Sequence, residues 1–312
     1  MEANRKLRFG VMTLLYYSEG TIVEMIDNCA PFVDKIYVGF SELPWSDYNK
    51  NARTEFKGSA SLEVLKDSKW HDKIEVISGV WKSEVDERND ILSKARQDGM
   101  DYLIIQDADE FYHPEDYRRN IEGITANPNH PVYRCPWTVF WKNTENVILI
   151  RPDMYSKPTT VTTCPNFAVN CNMPDVQFAV TRLANRMNEA FMLTGLCLHL
   201  AWVLDDEKVW MKVQTWGHSH QFNGKKWFKH KWLAWKPSTS YIGNITRANY
   251  LKAVPFKGEL PEQLKTMPQL KQEYVPLTMA EKLDCMIMDA TSVVLQSLKI
   301  LKARTKRLLG QS

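Results

Sequence analysis

The 312-residue sequence has no pair of cysteines two residues apart, no internal repeat and no apolar run of the roughly 18 residues that a membrane-spanning helix needs. Its six cysteines therefore indicate buried thiols in a reducing compartment rather than a disulfide framework. The first residues also lack the apolar segment of a secretory signal. We therefore expect a cytoplasmic protein.

Charge of one sign is also scarce, because 40 Lys and Arg residues stand against 37 Asp and Glu residues and leave a formal net charge of +3. Because the positive and negative charges are nearly balanced, the chain has no general attraction to nucleic acid, and we expect no nucleic-acid partner. The chain is long for one core but fits a single α/β domain with an appendage.

Tryptophan, by contrast, is abundant, and six of the 11 tryptophans lie between residues 202 and 235. Aromatic faces suit the apolar faces of sugar rings, although most tryptophans fill protein cores. Lysines alternate with aromatic residues at 225–232. This run fits either a lid that closes over a phosphate-bearing ligand or a solvated face.

The first hundred residues alternate between strand and helix patterns. We predict strands over 7–15, 35–40, 73–81 and 101–106, and helices over 21–29 and 86–99, the second ending at Gly99. Such a βαβ series specifies a mostly parallel sheet.

The patterns change in the second half of the chain. Strand-like segments rich in Pro, Thr and Asn over 131–199 predict a second, more antiparallel portion. Thr278 and Glu281 then match a capping box, which predicts one long amphipathic helix from there to about residue 309.

The predicted strand over 101–106 leads directly into Asp107-Ala108-Asp109-Glu110. Ligands of such sheets bind beyond the carboxyl ends of the strands. If the chain continues in extended geometry, Asp107 and Asp109 share a face and both can bind one hard cation, Mn²⁺ or Mg²⁺. A cation there would act as a Lewis acid on a departing diphosphate. The alternative is a solvated acidic turn with Asp109 as a helix N-cap.

Residues 87–112, which include E-R-N-D-I-L-S-K-A and D-Y-L-I-I-Q-D-A-D-E-F-Y, resemble the donor half of GT-A-fold glycosyltransferases, particularly the family-2-like enzymes. The resemblance implies a Rossmann-like α/β fold, with a mixed, mostly parallel sheet flanked by helices and a C-terminal helical extension. It implies a catalytic domain over 1–255, with a donor half to about 115 and an acceptor half over 116–255. A linker and the amphipathic helix follow over 256–312. A soluble enzyme of this kind would be similar to the chlorovirus glycosyltransferases.

The same resemblance implies a nucleotide-sugar donor, by default a UDP-sugar, and a glycan or glycoconjugate acceptor. It implies that Arg88 and Asn89 contact the nucleotide, that Asp107 binds the ribose or the metal, and that Asp109 is the principal ligand of Mn²⁺ or Mg²⁺. The further donor-binding candidates are Thr13, Leu14, Tyr16, Ser41 and Ala108.

The downstream half offers several candidates for each remaining role. Many enzymes of this kind use a late histidine as a further metal ligand, and His199 and His218 are the candidates here. An inverting transfer also needs a general base. Asp205, Asp206 and Asp175 are candidates for it, but none stands at the usual acceptor-helix position, so the base and the stereochemical course stay open.

Two other functions remain alternatives. A sugar-nucleotide pyrophosphorylase uses a similar α/β half, but the Gly-rich, Arg-containing loop of those enzymes is missing after the first strand. A non-catalytic carbohydrate-binding protein would have little need for Asp107, Asp109 and Arg88. Five basic residues near the end of the last helix indicate either a solvated face or a peripheral contact with an anionic membrane.

Overall fold

The computed structural model describes residues 5–15, 20–43, 45, 62–151, 156–215, 223–243, 250–268 and 270–308. The chain divides into two compact units. Unit 1 comprises Met1–Trp137, Thr163–His199 and Gly258–Met267, and unit 2 comprises Thr138–Thr162, Leu200–Lys257 and Pro268–Ser312.

In chain order the strands are β1 (Phe9–Leu14), β2 (Lys35–Ser41), β3 (Ile74–Gly79), β4 (Tyr102–Ile105), β5 (Glu110–Tyr112), β6 (Val132–Arg134), β7 (Pro136–Trp141), β8 (Asn143–Ile150), β9 (Thr162–Thr163), β10 (Ala168–Asn170), β11 (Phe178–Val180), β12 (Leu183–Ala184), β13 (Phe191–Met192), β14 (Cys197–Trp202) and β15 (Tyr250–Pro255). The α-helices are α1 (Ile22–Cys29), α2 (Glu84–Gln97), α3 (Pro114–Ala126), α4 (Asp206–Thr215), α5 (Gly224–Trp227), α6 (Glu262–Lys265) and α7 (Met279–Leu308), and a π-helical turn spans Phe228–Leu233.

Unit 1 is organised around a seven-stranded sheet with the strand order β13-β6-β10-β4-β1-β2-β3. The neighbouring strands β3, β2, β1 and β4 are all parallel, whereas β10 runs antiparallel to both β4 and β6. Every residue of β1 is buried, as its short apolar run predicts for a strand covered on both faces. The predicted mixed, mostly parallel sheet is therefore confirmed.

Helix α2 covers one face of this sheet. Its apolar residues Ile91, Leu92 and Ala95 are buried in the core that includes residues of β1, β2 and β4. The helix begins after Ser83, whose Oγ accepts a hydrogen bond from the backbone NH of Asp86, and the chain turns away at Gly99, where φ is +71°. A left-handed residue just past a helix end favours glycine, so the predicted stop at Gly99 is confirmed.

Unit 2 contains the antiparallel strands β15, β8 and β7, in that order, together with Leu200–Trp202 of β14. Its core is aromatic, with Trp141, Trp202, Trp227 and Trp232 packed against one another at ring-centroid distances of 5.1 to 6.5 Å. All four indoles are buried, so Trp202, Trp227 and Trp232 of the tryptophan-rich segment fill a core, whereas Trp210 and Trp235 are half-buried.

The C-terminal helix forms as predicted. Thr278 Oγ1 accepts from the backbone NH of Glu281, and the Glu281 carboxylate accepts from the backbone NH of Thr278, which is the reciprocal pattern of a capping box. None of the helices in the described part of the chain combines the length and the apolar character needed to cross a membrane.

Candidate active site

The carboxyl ends of the parallel strands β1, β2 and β4 lie along one edge of the unit 1 sheet. Thr13, Leu14 and Ser41 are buried at this edge, and the Ser41 hydroxyl donates to the carbonyl oxygen of Leu43. The Thr13 hydroxyl is buried and has no hydrogen-bond partner among the described residues. Tyr16 lies outside the described residues.

The acidic run forms a turn rather than the extended segment expected from its sequence. The backbone NH of Glu110 donates to the carbonyl oxygen of Asp107 at 2.9 Å, which closes a turn between β4 and β5. Ala108 and Glu110 are buried, whereas the side chains of Asp107 and Asp109 are 29% and 32% exposed. The two aspartates are thus both partly exposed, but the extended geometry from which their shared face was predicted is wrong.

Two buried arginines lie beneath Asp107. Arg88 Nη2 is 2.9 Å from one carboxylate oxygen of Asp107, and Arg182 Nη1 is 3.0 Å from the other. Arg88 Nε also donates to Glu84 at 2.8 Å, and Arg182 pairs with the fully buried Glu110. Each guanidinium therefore bridges Asp107 to a second carboxylate, and the cluster is a connected ionic network.

The network sets the charge at the site. Burial alone would raise the pKa of Asp107, but the guanidiniums of Arg88 and Arg182 lower it below its ordinary value. Burial raises the pKa of Glu110, and the positive charge of Arg182 opposes that rise. Asp107 is therefore held as an anion near the surface of the protein by the buried positive charges of Arg88 and Arg182.

His199 is brought next to Asp109 by strand pairing. His199 in β14 pairs directly with Glu110 in β5, and His199 Nε2 is 3.5 Å from Asp109 Oδ1. The imidazole stacks on the Trp137 indole with ring centroids 4.5 Å apart and planes 11° apart. This stacking fixes the ring orientation, and Nδ1 is buried with no hydrogen-bond partner among the described residues.

The arrangement of Asp109 and His199 fits a shared cation. Their separation exceeds a hydrogen bond and is close to that expected of two ligands that are each about 2.1 Å from one metal ion. Among the described residues the cluster contains four carboxylates, Glu84, Asp107, Asp109 and Glu110, and two guanidiniums. In the part of the chain that is described, no three His, Cys, Asp or Glu side chains form a complete metal cage. A cation such as Mg²⁺ needs none, because it commonly binds one or two carboxylates plus ligand phosphates and water.

Other predicted residues of unit 1 make contacts within the protein. The Asn89 carboxamide bonds both the backbone NH and the carbonyl oxygen of Phe178, at 2.8 and 3.0 Å, and thereby anchors β11. Asp175 is 63% exposed and pairs with Arg186. The predicted contact of Asn89 with a nucleotide and the role of Asp175 as a base stay predictions.

Asp205 and Asp206 belong to unit 2, and both bind the segment before α7. Asp205 Oδ1 accepts from the backbone NH of Lys271, and the two oxygens of Asp206 accept from Trp232 Nε1 and from the backbone NH of Glu273, each at 2.6 Å. These contacts support a structural role for both carboxylates. His218 lies outside the described residues.

Sequence reasoning missed three side chains next to the predicted site. Arg182 and Trp137 lie far along the chain from the acidic run and match no local motif. Glu87 stands out in the sequence only as part of the E-R-N motif, yet it is 1% exposed. Its carboxylate accepts a hydrogen bond from Trp45 Nε1 at 2.7 Å, and burial raises its pKa to about 7. Its apolar neighbours on α2 could have indicated a buried position.

No protein-family model matches the chain, and no curated protein matches its sequence. Among solved structures, the chain is similar to a 4-diphosphocytidyl-2C-methyl-D-erythritol synthase from Anaerococcus prevotii, with 14% identity, a TM-score of 0.34, and coverage of 61% of this chain and 89% of that one. It is similar to a mannose-1-phosphate geranyltransferase from Thermus thermophilus, with 12% identity, a TM-score of 0.30, and coverage of 54% and 58%. It is similar to S. aureus TarS 1–349, with 13% identity, a TM-score of 0.34, and coverage of 62% and 60%. The matches span less than two thirds of the latter two chains, and similarities of this extent identify neither a family nor a reaction.

Proposed function

We propose that this chain is a metal-dependent glycosyltransferase that moves a sugar from a nucleotide-sugar donor to a hydroxyl group of a glycan or glycoconjugate. The observation that supports it best is the pair Asp107 and Asp109 after β4, with His199 beside Asp109 and two buried arginines beneath Asp107. This cluster lies at the carboxyl ends of parallel strands, which is where ligands of α/β sheets bind.

Each side chain of the cluster has a separate role in this proposal. Asp109 and His199, with Asp107, would hold Mn²⁺ or Mg²⁺, which supplies Lewis-acid stabilisation of the departing diphosphate. Arg88 and Arg182 keep Asp107 ionised and fix its orientation. Trp137 fixes the plane of the His199 ring. The protein thus presents a preformed anionic surface to the cation, which reduces the reorganisation needed on binding.

The first test is binding of UDP and Mn²⁺ to the full chain, followed by thermal unfolding. A ligand that binds only the native state raises Tm. We expect UDP with Mn²⁺ to raise Tm and UDP with excess chelator to leave it unchanged. Asp109→Asn and His199→Ala should each weaken Mn²⁺ affinity by more than about tenfold. A wild-type Tm shift that persists in chelator would disprove the metal dependence.

A second histidine–aspartate pair in unit 1 provides a matched control. His71 Nε2 lies 3.0 Å from Asp72 Oδ1, but both side chains are exposed, at 68% and 89%, and no arginine contact is present there among the described residues. Asp72→Asn should therefore leave Mn²⁺ affinity unchanged. If it weakens binding as much as Asp109→Asn does, the ion is bound non-specifically.

The donor and the reaction are identified by turnover. A panel of UDP- and GDP-sugars with Mn²⁺ should show release of the nucleoside diphosphate, and Asp109→Asn should abolish it. Release of pyrophosphate from a nucleoside triphosphate and a sugar 1-phosphate would instead identify a pyrophosphorylase. Donor binding without turnover of any panel member would favour the non-catalytic alternative.

A further inference from the structure

Helix α7 exposes a continuous apolar face. Its exposed large apolar side chains, from 39% exposed at Val293 to 78% at Met279, are Met279, Leu283, Met286, Ile287, Val293, Val294, Leu298 and Leu301. At about 100° per residue these positions fall within an arc of about 140°. That arc is wider than the narrow seam of a coiled coil. An apolar stripe of this length is uncommon on a free protein surface and indicates an interaction site.

The other side of α7 is attached to the rest of unit 2 by ion pairs. Lys226 Nζ lies 2.6 Å from Asp284 Oδ1, Lys231 pairs with Asp289, and Lys229 pairs with Glu281. These contacts involve three lysines of the 225–232 run and fix the rotation of the helix about its axis. The apolar stripe therefore faces outward because the acidic face is already bound.

The charge of the helix changes along its length. Residues 290–308 contain no acidic residue, and five basic residues lie between 299 and 307, namely Lys299, Lys302, Arg304, Lys306 and Arg307. In a parallel pair of two copies these basic segments would lie side by side and repel. In an antiparallel pair each would face the 281–289 segment, whose carboxylates are already neutralised by lysines. The α7 helix of a second copy therefore offers no compensating charge.

An anionic lipid surface complements both the apolar stripe and the basic end of α7. Its acyl region accepts the apolar stripe, and its headgroups attract the basic end of the same helix. We infer that α7 lies in the plane of an anionic membrane surface, with the stripe buried at the boundary between headgroups and acyl chains. This site is independent of the proposed transferase activity.

Vesicle co-sedimentation of the full chain tests this inference. The probe is a vesicle of phosphatidylcholine with about one third phosphatidylglycerol, compared with pure phosphatidylcholine. The triple variant Ile287→Gln, Val294→Gln, Leu301→Gln removes the centre of the stripe while keeping good helix formers. We expect the wild-type chain to bind the anionic vesicles and the triple variant to stay in the supernatant, with unchanged circular dichroism.

Two further variants separate apolar from electrostatic binding. Lys299→Gln, Lys302→Gln, Lys306→Gln should weaken binding to anionic vesicles by about fivefold per residue, or about a hundredfold in all. The control variant Val80→Gln, Met192→Gln changes apolar residues of unit 1 that are similarly exposed, at 57% and 47%, and should bind like the wild type.

Three results would overturn the inference. Co-sedimentation of the stripe variant at the wild-type level would show that the stripe is not the contact. A wild-type chain that binds neither kind of vesicle would rule out a lipid surface. Sedimentation equilibrium showing a dimer that the stripe variant dissociates, without vesicle binding, would assign the stripe to a second copy.

Discussion

The ionic contact between Arg182 and Glu110 provides the sharpest test of how the site is held together. Arg182 is 8% exposed and Glu110 is fully buried. The guanidinium contacts both oxygens of Glu110, one oxygen of Asp107 and the backbone carbonyl oxygens of Ile105 and Asn166. Arg182→Met keeps most of the side-chain volume but leaves a buried carboxylate without its cation.

The expected cost follows from this loss of a partner. Breaking a buried pair by removing one member typically costs about 3–5 kcal/mol, because the remaining charge is uncompensated. Replacing both members costs less, so Arg182→Met with Glu110→Gln should be more stable than the sum of the two single changes predicts, by about 2 kcal/mol. The deficit should also depend on pH. Burial raises the pKa of Glu110, and without Arg182 it rises further. The folded variant therefore binds a proton more tightly than the unfolded chain, and its deficit grows as the pH rises.

Urea unfolding followed by far-UV circular dichroism measures these differences as shifts in the midpoint. Arg186→Met is the matched control, since Arg186 also pairs with carboxylates, Asp175 and Glu189, but at the surface. Its midpoint should move much less. Additive single and double variants, with a deficit independent of pH, would refute the view that Arg182 compensates the charge of Glu110.

Two further predictions concern α2. Burial raises the pKa of Glu87 to about 7, so the folded carboxyl binds its proton more tightly than the unfolded one. Its stabilising contribution is complete below about pH 4.5 and is lost as the pH rises towards 7, by up to about 1.4 kcal/mol per pH unit. The urea midpoint of Glu87→Gln should therefore change less with pH across this range than the midpoint of the wild type. Midpoints of the two proteins that change with pH in parallel would contradict the raised pKa of Glu87. Gly99 has φ +71°, so Gly99→Ala should destabilise the chain by about 1–2 kcal/mol, and an unchanged urea midpoint would show that this conformation is not required.

The parallel half of unit 1 could be predicted because its signals are local. The apolar run of β1 and the 3.6-residue periodicity of α1 depend only on neighbouring residues, and both elements lie where the patterns place them. The start of α2 was predicted two residues late, at 86 instead of Glu84. Ser83 and Asp86 have the spacing of a capping box, and this sequence pattern could have identified the true start.

The interior of the candidate site could not be predicted in the same way. Arg182 is 75 residues from Asp107 in sequence, and it follows Thr181, a non-glycine residue with φ +47° that no propensity favours. The stacking of Trp137 on His199 likewise depends on where two distant strands meet. Sequence patterns predict which residues are acidic and where a strand ends, but the partners of a buried charge depend on tertiary structure.

The turn from Asp107 to Glu110 explains how four successive residues can serve two opposite purposes. Glu110 points into the protein, where the guanidinium of Arg182 compensates its buried carboxylate, and Ala108 is small enough to be buried as well. Asp107 and Asp109 remain partly exposed, and the two arginines keep Asp107 ionised. Without these arginines the crowded carboxylates would take up protons. The buried arginines are therefore as important to the proposed metal site as the aspartates themselves.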